Sequence, residues 1–102
     1  MSSLRAEATG ALATHVEVTE ETLSVELADS RTITAPLAWY PRLVQGSPAE
    51  RHHWQLLGDG YAIEWPDLDE HIGIEGLLAG RRSGESSQSF ARWMASRRTS
   101  AE

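Results

Sequence analysis

The chain predicts a small α+β fold: an antiparallel sheet, one short helix and a C-terminal amphipathic helix. Three observations predict it. Between residues 14 and 35, three short runs place apolar side chains at every second position, with turn residues between them. Ser47-Pro48-Ala49-Glu50 is a helix-start signature. Phe90, Trp93, Met94 and Arg97 fall at i, i+3, i+4 and i+7, on one helical face.

The elements follow in order. Residues 1–13 are small and polar, lack a period, and are expected to form a flexible arm. Thr14 to Glu20 alternates, with Val16 and Val18 on one side. Thr22 to Leu27 alternates again, through Leu23, Val25 and Leu27. Glu20-Glu21 makes the link a hairpin, and Asp29-Ser30 turns into a third strand through Ile33. These three strands read as a β-meander. Pro36 cannot donate to a ladder, so pairing ends there. Trp39-Tyr40-Pro41 then redirects the chain.

The capped helix is expected from Ser47 to about Trp54 or Leu56. Gly58-Asp59-Gly60 is a turn or a helix end. Tyr61 to Trp65 and His71 to Glu75 are the two further short strands, separated by Pro66 and an acidic turn. The core domain is thus expected over 14–80, with a polar linker and the final helix over 81–102.

Composition narrows the function classes. The 102 residues suit one domain with a modest core. There is no cysteine, which removes disulfides and thiolate metal sites and suits a reducing compartment. No apolar run approaches the roughly 18 residues of a membrane span, and the N-terminus has no signal-peptide apolar stretch. A cytoplasmic protein is expected. The net charge is −6, and all nine basic residues are arginine. That balance makes direct nucleic-acid binding unexpected. The charge is uneven: 59–75 holds six acids and no arginine, while Arg81, Arg82, Arg92, Arg97 and Arg98 follow it.

Candidate chemistry is sparse. His52, His53, Asp67, Asp69, Glu70 and His71 are metal-ligand types, but adjacent histidines on a helix point about 100° apart. No HxxxH or HExxH spacing occurs. No Gly-x-Ser-x-Gly elbow marks a nucleophile, and Gly58-Asp59-Gly60 lacks the lysine and setting of a phosphate loop. No catalytic residue, metal or cofactor is therefore assigned. Trp54 and Trp65 suit a core, whereas tryptophan, tyrosine and arginine also dominate binding hot spots. The expected partner-contact surface is Trp39, Tyr40, Pro41, Arg42, the acidic turn of Trp65, Asp67, Asp69 and Glu70, and Phe90 and Trp93 of the final helix. Arg42 and Arg51 are expected to pair with Glu50, Asp69 or Glu70 as structural ion pairs.

The order PLAWYPRL, then SPAERHHWQLLGDGYAIEWPDLDEHIGIEGLLAG, resembles the bacterial domain of unknown function 2442 family. Pro36, Leu37 and Trp39 to Leu43 carry the first part. Glu50, Arg51, Trp54, Gly58, Gly60, Trp65-Pro66, Leu68 to Glu70, Leu77, Leu78 and Gly80 carry the second. His71 stands where a third acid is common, Glu64 where histidine is often seen, and Ser30 where glycine is usual. The resemblance implies a small α+β domain without assigned catalytic residues. It also implies, from members that sit in toxin–antitoxin pairs, an antitoxin-like role by protein contact. Some relatives carry a helix-turn-helix domain next, which one helix after Gly80 cannot supply.

The expected function is therefore a non-enzymatic interaction module, antitoxin-like, with a small basic protein as partner. Three alternatives stand beside it. One is an acidic, nucleic-acid-mimicking inhibitor of the kind phages carry. Another is a self-associating domain, such as a homodimer. The third is a metal-dependent hydrolase using His52, Asp67, Asp69 and His71.

Overall fold

The computed structural model describes residues 11–101, with side chains through residue 97. The expected N-terminal arm lies largely outside these residues. Two three-stranded antiparallel sheets, five short helical segments and one longer helix make up the α+β fold. The first sheet is the expected meander: β1 (Ala13–Val18), β2 (Thr22–Leu27) and β3 (Thr32–Pro36), in that order. Val16 faces Val25, and Val25 faces Ile33, so the alternation read from the sequence becomes one buried face. A bulge between Ala13 and His15 lets Ala13 and Val16 both point inward, three positions apart. Ala13 is 2% exposed and belongs to the core, so the domain begins before Thr14.

Each turn has a side-chain reason. The Thr19 hydroxyl accepts from the amides of Glu21 and Thr22. Asp29 accepts from the Arg31 amide, while Ser30 sits at φ +76°. After β3, a 3₁₀ turn (Leu37–Trp39) leads into α1 (Pro41–Val44). Ser47 and Glu50 then close a reciprocal capping box at the start of α2 (Pro48–His52).

Helix α2 stops at His52, short of the expected Trp54 or Leu56. Gln55–Leu57 forms an additional strand, β4, which pairs with β5 (Ala62–Trp65). Gly58-Asp59-Gly60 is thus a hairpin turn, and three residues were too few to show a period. Strand β6 (Glu70–Gly73) completes the second sheet in the order β4-β5-β6. It ends earlier than expected, because Ile74 opens a helical segment, α3 (Ile74–Leu78). Pro66 starts a 3₁₀ turn (Pro66–Leu68), and Asp69 closes it in the left-handed region.

One core joins the two sheets. Leu23, Val25, Ile63, Trp65, Leu68, Leu37 and Leu43 are all sealed from solvent. The sheets also meet at Gly60, whose carbonyl accepts from the Ala13 amide at 2.8 Å. A Cβ on Gly60 would lie 2.3 Å from the Ala13 carbonyl oxygen, and its φ is +109°. Only glycine satisfies both demands.

Residues 81–86 lack regular structure and lead to α4 (Ser87–Ala101). The Ser86 hydroxyl accepts from the Ser89 amide, an N-cap contact. No residue of α4 whose side chain is described is fully buried. Among the described residues, no helix is long and apolar enough to cross a membrane.

Candidate functional site

Arg42 is the hub of the site. It lies on α1, placed there by Pro41 at the first helical position. Its Nε donates to Glu85 at 2.9 Å, and Nη2 donates to the second Glu85 oxygen. Nη1 donates to the Asp69 carbonyl at 2.8 Å and to its carboxylate at 3.3 Å. The left-handed turn at Asp69 offers both acceptors in the same direction. The Arg42 guanidinium also lies 5.0 Å above the Trp93 ring. One side chain therefore joins the acidic turn, the linker and α4. Hydrogen bonding to Arg42 holds the Glu85 carboxyl below its ordinary range, and Glu85 raises the Arg42 pKa in return.

A cleft of about 600 Å³ opens beside this hub, between β6, α3 and the linker. Tyr40, Arg42, Glu70, Leu77, Arg81 and Glu85 are among its walls. Burial pushes the Glu70 carboxyl above its ordinary range, although Arg42 draws it the other way. The same burial, with Glu70 nearby, raises the Tyr40 phenol. Tyr40 donates its hydroxyl to the Arg81 carbonyl at 3.2 Å, which fixes the start of the linker. The Ser83 amide donates to the Trp39 carbonyl, and Arg82 stacks over the Trp39 ring at 5.0 Å.

A second clamp holds α4 further along. Arg97 donates to both oxygens of Glu50, at 3.2 and 3.0 Å. This fork lowers the Glu50 pKa, and the capping-box amide of Ser47 adds to the effect. Arg97 also lies 4.8 Å from the Trp93 ring. The Trp93 ring thus contacts two guanidinium groups, and it packs partly on the core.

The structure gathers part of the expected contact surface and disperses the rest. Tyr40, Arg42, Asp69 and Glu70 line one cleft, and Trp93 lies against Arg42. Trp39 and Pro41 are half-buried beside them, and Phe90 contacts Trp93 at 5.7 Å. Trp65 does not belong to this surface. It is 0% exposed and donates its indole N–H to the Arg51 carbonyl, so no partner reaches its ring. Tyr40 is likewise a core residue that shows only its polar end. Asp67 turns away and meets His53 at 2.7 Å.

The ion pairs also differ from expectation. Arg42–Asp69 forms, but Arg42 binds Glu85 more fully. Arg51 donates to the Leu43 and Val44 carbonyls at the end of α1 rather than to a carboxylate. Glu50 takes Arg97 instead, and Glu70 accepts from the His71 amide. No local signal exposed Glu85, which lies 43 positions from Arg42. His52 bonds the Pro48 carbonyl of its own helix. Among the described residues, no three His, Asp or Glu side chains are grouped as metal ligands.

A profile of the family described as "Protein of unknown function (DUF2442)" matches residues 13–83. The chain belongs to the DUF2442 family. The match covers the core and linker start and ends before α4. Two solved structures share the DUF2442 fold seen here. A protein of unknown function from Rhodospirillum rubrum is 24% identical, with a TM-score of 0.62 over 72% of this chain and 92% of its own. An uncharacterized protein from Chromobacterium violaceum, solved in solution, is 21% identical, with a TM-score of 0.64 over 87% and 80%. No curated protein matches.

Proposed function

We propose that the chain is a non-enzymatic protein-contact module, the acidic, antitoxin-like member of a pair whose other member is a small basic protein. The supporting observation is the distribution of charge on the folded domain. Residues 13–86 hold thirteen carboxylates against five arginines, a net charge of −8. Glu17, Glu20, Glu21 and Glu26 all stand exposed on the β1–β2 hairpin. None of these four is ion-paired among the described residues. The outer face of the same sheet also offers hydroxyls, with Ser24 of β2 and Thr34 of β3 in contact at 3.1 Å. Like charges gathered on one face cost stability, and a basic partner removes that cost and gains association rate.

Capture from the source cell with tagged full-length chain tests this reading, repeated with Glu17→Lys/Glu26→Lys. The expected result is one small basic protein whose recovery falls at least tenfold with the charge-reversed chain. Undiminished recovery would remove the hairpin from the contact. A captured nucleic-acid-binding protein that DNA competes away would favour the mimic instead. A doubled native mass with no other protein would favour self-association.

A further inference from the structure

We infer that the face formed by Arg42, Glu50 and Asp69 is a docking groove for a basic, aromatic helix of the partner, and that α4 covers this groove in cis. This rests on the protein-contact reading above and names the anchoring element.

Charge is the first support. Residues 87–101 carry three arginines and no acid, whereas the domain beneath carries −8. The cover is itself a small basic helix. The manner of contact is the second. Helix α4 seals none of its described residues from solvent and is held by one arginine–carboxylate fork, Arg97–Glu50, by Trp93 stacked on Arg42 and packed partly on the core, and by the Ser89 hydroxyl on Glu85. An isolated helix of this length is marginal in water, so its order depends on those few contacts. The third support is the family boundary. The DUF2442 match ends at residue 83, so Arg42, Glu50 and Asp69 belong to the shared domain and α4 does not.

The contacts specify what fits. An aromatic ring stacks on Arg42, and a basic residue one turn later reaches Glu50, as Trp93 and Arg97 do. With α4 and Glu85 lifted away, the groove keeps Arg42 against Glu50 and Asp69, a net charge of −1. A basic helix gains from that field and an acidic one loses. Because α4 is tethered, it competes at an effective concentration in the millimolar range. Partner affinity is therefore reduced by the fraction of chains that are covered.

The test uses full-length chain and, as probe, a labelled synthetic peptide of residues 86–101. It is titrated into the wild-type chain and into Trp93→Ala/Arg97→Ala, which lifts the cover. The expected result is binding at least tenfold tighter to the opened chain, abolished when Glu50→Gln and Arg42→Ala are added. Arg97→Ala alone, which keeps the Trp93 packing, gives an intermediate gain and guards against misfolding of the double variant. No binding to the opened chains, equal binding to opened and wild-type chains, or indifference to Glu50→Gln and Arg42→Ala would overturn the groove. Partner capture separates the two readings. A basic partner that binds opened and covered chains equally overturns the groove and leaves the contact module standing. Failure to capture any basic partner defeats the module, whatever the peptide does. A dimer of the wild-type chain lost in the opened variant would place a second copy in the groove and overturn the partner assignment.

Discussion

The domain and α4 are held by different forces. The domain closes on a continuous apolar cluster in which Leu23, Val25, Ile63 and Trp65 lose all contact with water. Helix α4 is held mainly by the Arg97–Glu50 fork, by the Trp93 ring stacked on Arg42 and Arg97 with only partial packing on the core, and through Ser89 by Glu85, which Arg42 fixes. Burial of apolar area is indifferent to pH and is not screened by salt. Ion pairs respond to both. The two parts are therefore expected to respond differently to acid and salt.

The largest expected effect is on the domain. Trp65→Ala removes a fully buried ring and leaves the Arg51 carbonyl without its indole donor. The loss should be about 3–5 kcal/mol, read from the urea midpoint. A loss below about 1 kcal/mol would mean that the apolar cluster is not the principal support. Gly60→Ala is next. Its Cβ meets backbone rather than a yielding side chain, and φ +109° adds strain. About 2–3 kcal/mol should be lost, with no change in helix content from α4.

Acidification acts on the other part. Arg97 and Arg42 hold the carboxyls of Glu50 and Glu85 below the ordinary value of 4.5. The stability from such groups is fully present above the unfolded value and is lost as pH falls through the folded one. Helix α4 should therefore release as the pH falls below the ordinary carboxyl value of 4.5, seen as loss of helical circular dichroism with the Trp65 environment intact. Arg97→Ala should bring part of that loss to neutral pH. Glu70 has the opposite sign: burial raises its pKa, so protonation on acidification favours the folded domain. Simultaneous collapse of both signals in acid would erase the division between the two parts.

Legibility in the sequence follows the same division. The meander was readable because a two-residue period survives in strands of five or six residues. The capping box was readable because it is local, and its Ser47 and Glu50 contacts form as the pattern requires. Strand β4 was not, since Gln55–Leu57 is three residues long and follows a helix signal. At the site, Arg42–Asp69 is one of the pairings that the sequence leaves open between Arg42 or Arg51 and Glu50, Asp69 or Glu70. The sequence offers no pairing for Glu85 or Arg97, because nothing local links positions 42 and 85 or 50 and 97. Trp65 suits a core by residue type and also borders the acidic turn; its side chain lies on the inward side of β5, so the core reading holds and the contact-surface reading does not.

The smallest effect gives the sharpest comparison. Ser30 holds φ +76° in the β2–β3 turn, a region that costs a side chain about 1 kcal/mol relative to glycine. Ser30→Gly should raise global stability by about 0.5–1 kcal/mol, less any gain in unfolded-chain entropy. The turn lies outside the Arg42 and Arg97 clamps. If α4 opens locally, its amides exchange without unfolding the domain, so their protection stays unchanged while β2 and β5 amides slow. If α4 instead unfolds only with the domain, its amides must slow by the same factor as theirs. That result would make α4 an integral part of the domain, and a cover that never lifts alone could not admit a partner's helix.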